Sequence, residues 1–161
     1  MIVVVGGSGR KAGKTRVIEC LLRAIPQARW LAIKVSGHAH GTQDWELTRQ
    51  EHPDPGTDTG RFLDAGAGDA WWLRAGDSRL SEAVPKLLSL IENFENVIIE
   101  SNSILDYLSP DLYVFVSGGE GKESAEQWRP RADVVITPGP DGGCEELIAL
   151  VARKLSERPG R

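Results

Sequence analysis

The chain has 161 residues, of which 40% are apolar and 26% charged, the size and composition of one globular domain covering 1–161. Nineteen basic against 23 acidic residues give −4 at pH 7. That balance argues against nucleic acid or an anionic membrane as partner, because either would require a basic footprint.

Eighteen glycines are an excess, about 11% of the chain against roughly 7% on average. Several crowd into Gly6, Gly7, Gly9 and Gly13. The two cysteines, Cys20 and Cys144, match no disulfide framework and no zinc spacing, and they suggest a reducing compartment. The opening apolar run, Met1–Val5, falls far short of the roughly 18 residues that span a bilayer. No basic region precedes it, so the expectation is a cytoplasmic protein without a signal peptide.

In chain order, strand and helix signals alternate. Met1–Val5 is a continuous β-branched run ending at glycine, the mark of a strand buried on both faces of a parallel sheet. Lys14–Ile25 predicts a helix with Val17, Leu21, Ala24 and Ile25 on one stripe, stopped by Pro26. Trp30–Val35 predicts a second strand, and residues 36–57 a long irregular stretch. A short helix follows at Thr59–Ala65, then a strand at Ala70–Arg74, where one of Trp71 and Trp72 should pack inward and the other face out. Ser81 is the expected cap of a helix with Val84, Leu87, Leu88, Ile91 and Phe94 on its apolar stripe and Pro85 near its first turn. Val97–Ile99, Leu112–Val116 and Val134–Ile136 predict further strands, and Glu145–Leu155 a last helix. Gly118-Gly119 and Gly142-Gly143 read as turns. The repeated order predicts an α/β fold, a doubly wound and mostly parallel sheet with helices on both faces.

Between the first strand and first helix stands Gly6-Gly-Ser-Gly-Arg-Lys-Ala-Gly-Lys-Thr15. Its end, Gly13-Lys14-Thr15, is that of a P-loop, whose amide groups cradle phosphate without Cβ atoms in the way. The expected nucleotide-binding residues are therefore Ser8, Gly9, Arg10, Lys11, Ala12, Gly13, Lys14, Thr15 and Arg16. Lys14 would reach the β- and γ-phosphates and the Thr15 hydroxyl would ligate Mg²⁺. Ser8 stands where the pattern asks for glycine. Glu100 ends a buried strand, where open α/β sheets place their ligands, and could hold Mg²⁺ or orient a water. Asp58, from the long loop, is the second carboxylate on the Mg²⁺ side. His38 and His40 form a His-x-His spacing that could hold a metal, but no cysteine is near to complete a set.

Further residues follow in a fixed order. Ile33-Lys34 has a histidine four positions on, His38. Pro55-Gly56-Thr57-Asp58-Thr59 precedes Ala65-Gly66-Ala67, and Ile98-Ile99-Glu100 ends a strand. This ordered set resembles the MobB family, molybdopterin-guanine dinucleotide biosynthesis protein B, over about the first two thirds of the chain. The resemblance implies a dimeric, GTP-binding and weakly hydrolysing P-loop protein of the SIMIBI class, a partner of the guanylyltransferase that attaches GMP to molybdopterin. It also implies that Asp58 and Glu100 shape the Mg²⁺ and water side, while Lys34 and His38 line the nucleotide or cofactor end. The chain departs from the family pattern at Lys34-Val35 and Glu100-Ser101. No Asn-Lys-x-Asp guanine signature occurs, so GTP rather than ATP rests on the resemblance. Two other readings compete: a small-molecule kinase using ATP, and a metal-insertion GTPase using His38 and His40.

Overall fold

The computed structural model describes residues 1–37, 44–76, 78–119, 121, 123–139 and 143–158. Among the described residues seven strands form one sheet: β1 (Ile2–Gly7), β2 (Leu31–Ser36), β3 (Glu46–Arg49), β4 (Asp69–Arg74), β5 (Val97–Glu100), β6 (Leu112–Val116) and β7 (Val134–Ile136). Their order across the sheet is β3-β4-β2-β5-β1-β6-β7, and all pairings are parallel except β3 with β4. Among the described residues five α-helices accompany them, the last after β7: α1 (Lys14–Ala24), α2 (Asp58–Asp64), α3 (Leu80–Ile91), α4 (Glu123–Glu126) and α5 (Glu145–Ser156). None of the described helices is long and apolar enough to cross a membrane.

Alternation along the strands divides the interior in two, because successive side chains point to opposite faces. Val3 and Val5 of β1 join Val17, Ile18, Leu21 and Leu22 of α1, Phe62 of α2, and Leu147 and Val151 of α5 in one core. Val4, between them, joins Ala83, Val84, Leu87 and Ile91 of α3 in the other. The expected α/β architecture with helices on both faces is therefore present.

The differences from the sequence-based expectation lie at the edges. The 36–57 stretch contains β3, a short polar edge strand that pairs antiparallel with β4 through Leu47 and Leu73. Only Leu47 marks it in the sequence. In α1 the buried stripe is wider than expected: Ile18 and Leu22 are buried, whereas Ala24 is exposed. Ser81 does not cap α3; Arg79 holds the cap position, and Phe94 lies beyond the helix end. That start places Pro85 in the second turn, on the exposed face, where water can serve the carbonyl its missing N–H leaves free. Trp71 and Trp72 are both half-buried, on opposite faces of β4, and their Nε1 groups donate to Asp69 (3.1 Å) and Ser36 (2.8 Å). The fold also brings the two cysteines together. Burial first, and then a hydrogen bond with Cys20, push the Cys144 thiol up to about 11.

Candidate functional site

The site forms where β1 ends, with β5 on one side and β6 on the other, so two crossover directions meet at its C-terminal edge. This is the position at which open α/β sheets leave a crevice. The chain leaves β1 through Ser8, passes Gly9–Gly13 and enters α1 at Lys14. Gly13 holds φ at +100°, a left-handed conformation that carries the chain into α1 and that a side chain would strain. Lys11 also has positive φ, at 59°. No side chain caps α1, and its first-turn amides lack intrahelical partners by geometry, so they open onto the loop. The Lys14 ammonium folds back over the loop and donates to the Gly9 carbonyl at 2.7 Å.

Three other elements deliver side chains to the same place. Strand β2 pairs with β5 so that Lys34 lies in register with Glu100, and β5 pairs with β1 so that Glu100 lies beside Val5. Asp58 arrives from the first turn of α2. That turn is fixed by the Thr57 hydroxyl, which accepts the Gly60 N–H at 3.1 Å, and by Asp54, whose carboxylate accepts the Gly56 N–H at 2.8 Å. Gly60 is required there, because a Cβ would stand 2.3 Å from the Asp54 carbonyl oxygen.

The four side chains close a ring. Lys34 Nζ is 2.6 Å from Asp58 Oδ2 and 2.8 Å from Glu100 Oε1. Thr15 Oγ1 is 3.2 Å from Asp58 Oδ1 and 3.0 Å from Glu100 Oε2. The single hydroxyl proton of Thr15 serves one carboxylate at a time. Outside the ring, Arg61 reaches Asp58 at 3.7 Å while making a bidentate pair with Glu19, at 2.8 and 3.0 Å. Glu100 is only 4% exposed, so its charge depends on these partners.

The charges answer to this packing. Burial is the largest influence on Lys34 and disfavours its charge, but Glu100 and Asp58 together outweigh it and hold the ammonium above its ordinary range. Burial likewise pushes Asp58 up, and the hydrogen bond and charge of Lys34, with Thr15 and Arg61, bring it below the usual carboxylate range. Lys14 goes the other way: burial lowers it, Lys34 repels it, and Glu100 and Asp58 restore only part.

Of the loop residues expected to bind nucleotide, Gly9 to Arg16 line the turn and the start of α1. The Ala12 side chain is buried in the core, leaving its backbone to the loop. Ser8 is corrected. It is buried, its N–H donates to Val116 O (3.0 Å), and its hydroxyl donates to Gly118 O (2.7 Å) and accepts the Gly118 N–H (3.1 Å). These bonds spend its polar groups on fastening the loop to the segment after β6. Gly118-Gly119, expected as an ordinary turn, is the far side of that latch and lies against the Arg10–Ala12 carbonyls. His38 and His40 lie outside the described residues.

Sequence reasoning passed over Asn102. Its side chain accepts the Gly7 N–H and donates to the Gly7 carbonyl, both at 2.9 Å, so it holds the last residue of β1 from the β5 side. Its position two residues after Glu100 was the available signal. A small cavity of about 170 Å³ adjoins the ring, lined by Lys34, Gly56, Thr57, Asp58, Thr59 and Trp72.

One hydroxyl and two carboxylates are hard oxygen donors, the chemistry that suits Mg²⁺ and suits softer metals poorly. Among the described residues no three His, Cys, Asp or Glu side chains gather into a metal cluster. A divalent ion at this place would therefore complete its shell with water and phosphate oxygens, as Mg²⁺ commonly does. Comparison of the chain with protein-family models, curated proteins and solved structures gives no match.

Proposed function

We propose that this chain is a P-loop protein that binds GTP with Mg²⁺, hydrolyses it slowly, and serves as an adaptor of the kind the MobB family represents. The observation that carries the reading is the meeting of Thr15, Asp58, Glu100 and Lys34 beside the Gly9–Gly13 loop, at the crevice where β1 ends. A glycine loop alone would be a connector. A glycine loop whose following threonine touches two carboxylates from distant elements supports a phosphate and metal site.

The residues divide the work by their chemistry. The loop amides and the first turn of α1 hold phosphate oxygens. Lys14 gives up the Gly9 carbonyl for a charge-assisted bond to phosphate. When bound, Mg²⁺ would be held by Thr15, Asp58 and Glu100 and would neutralise charge on the transferring phosphoryl oxygens. Glu100 can accept a hydrogen bond from a water and orient it; with so few groups acting, slow turnover is the expectation. The resemblance to MobB adds a homodimer, a molybdopterin guanylyltransferase as partner, and the cytoplasm as location. Side-by-side calorimetric titration with GTP and ATP in Mg²⁺ tests the base preference: tighter binding of GTP supports this reading, and equal or tighter binding of ATP removes it.

One observation favours a second reading, a small-molecule kinase. The 170 Å³ cavity shares Lys34 and Asp58 with the ring, so an acceptor hydroxyl there would lie next to the phosphoryl-handling groups. ATP turnover that becomes fast only when a small hydroxylated acceptor is added would select the kinase.

A further inference from the structure

The geometry points to Lys34 as a tethered cation that competes with a divalent ion for Asp58 and Glu100, so that metal and triphosphate binding are coupled through its displacement. This inference rests on the nucleotide-binding reading above and specifies how that site is regulated.

Every oxygen of the two carboxylates has a polar neighbour within the ring. Lys34 takes Asp58 Oδ2 and Glu100 Oε1, and Thr15 lies within reach of Asp58 Oδ1 and Glu100 Oε2. The two carboxylates carry two negative charges and Lys34 returns one, so the ring keeps a single net negative charge, half of what the carboxylates would present to a metal ion without Lys34. A divalent ion held by Thr15, Asp58 and Glu100 would stand beside an ammonium that shares the same two ligands. In a site where Glu100 is 4% exposed, that repulsion is weakly screened, and Lys34 must yield at least one carboxylate.

Lys34 then needs another anion. Its neighbours Arg61 and Lys14 are themselves cations, and the carboxylate of Glu19 is already held by Arg61. A triphosphate supplies what is missing, because it brings several negative charges to the end of the ring that Lys14 and Thr15 already face. Metal alone therefore binds against Lys34, whereas metal with triphosphate binds with Lys34 re-paired. By linkage the effect is mutual: each ligand tightens the other by the same factor.

The experiment titrates Mn²⁺, an oxygen-seeking stand-in for Mg²⁺, into the full chain with and without a non-hydrolysable triphosphate analogue, comparing the parent protein with Lys34→Met. The parent should bind Mn²⁺ about ten-fold or more tightly with the analogue present. Lys34→Met should bind Mn²⁺ alone about ten-fold more tightly than the parent does and lose most of the coupling. Unchanged Mn²⁺ affinity in Lys34→Met with coupling intact overturns the inference while leaving nucleotide binding standing. A parent chain that binds no nucleotide overturns both. Since Lys34→Met leaves two neighbouring carboxylates without their ammonium, the unmodified protein supplies a second readout. The Lys34 side-chain amine signal in NMR should shift as Mg²⁺ saturates the site; an unmoved signal at saturation contradicts displacement.

Discussion

The two ends of the sheet differ in a way that volume alone misrepresents. At the start of the strands lies a cavity of about 870 Å³, lined by Ile25, Ile91, Phe94 and Leu155 among others; at the opposite end the cavity beside Lys34 measures about 170 Å³. Two polar neighbours of the larger one are occupied with closing the backbone. Asp111 accepts the Ile2 N–H at 2.7 Å, and Asn96 donates to the Ala28 carbonyl at 2.7 Å. The smaller one adjoins charged groups that converge from three elements, Lys34, Asp58 and Glu100, with the Thr15 hydroxyl from a fourth. Convergent charge in a crevice is the stronger pointer to chemistry, because perturbed titratable groups cluster at functional sites.

Substitutions should separate these ends. The largest effect is expected at the wide cavity. Ile25→Ala, at a side chain 2% exposed, should cost about 2–5 kcal/mol in chemical denaturation and leave nucleotide affinity per folded molecule unchanged. A matching fall in affinity would show that the two ends are not independent. Next, Asn102→Ala strips both polar groups of Gly7 of their side-chain partner and should cost roughly 1–3 kcal/mol of stability. Because Gly7 leads into the loop, triphosphate affinity should fall as well, which calorimetry on the folded variant can read. Stability lost with affinity kept would make Asn102 a strand fastener and nothing more. Glu100→Gln comes third: nucleotide binding should persist while phosphate release slows, and normal turnover would remove Glu100 from the chemistry.

The smallest effect concerns acid. The folded Asp58 sits below its unfolded value of about 3.9, so it contributes stability above roughly pH 4 that is lost as pH falls through the folded value. Asp58→Asn should therefore flatten the acid limb of a stability profile measured from pH about 3 to 6. Superimposable limbs would mean that its ion pair with Lys34 carries no net stability.

Much of this site could be read residue by residue, and little of it as an assembly. Lys14 and Thr15 follow from a local pattern, since loop, strand and helix are contiguous in the chain. Glu100 follows from its place at a strand end. The ring does not, because Lys34 meets Glu100 only through the β2–β5 register, which depends on a strand order that no local signal specifies. Ser8 shows the reverse case: its place in the pattern predicts a phosphate contact, and no local signal marks the bond its hydroxyl makes to Gly118, 110 residues away. The missed β3 has a plain cause: an edge strand of four residues with one clear apolar side chain offers too short an alternation to stand out.

The central claim is that the Gly9–Thr15 segment holds phosphate, and Lys14 tests it most directly. Isothermal titration of the parent chain and Lys14→Ala with GTP in Mg²⁺ should show a loss of about 1.5–3 kcal/mol of affinity in the variant, the scale of a hydrogen bond to a charged group. Equal affinity in both proteins would contradict the account.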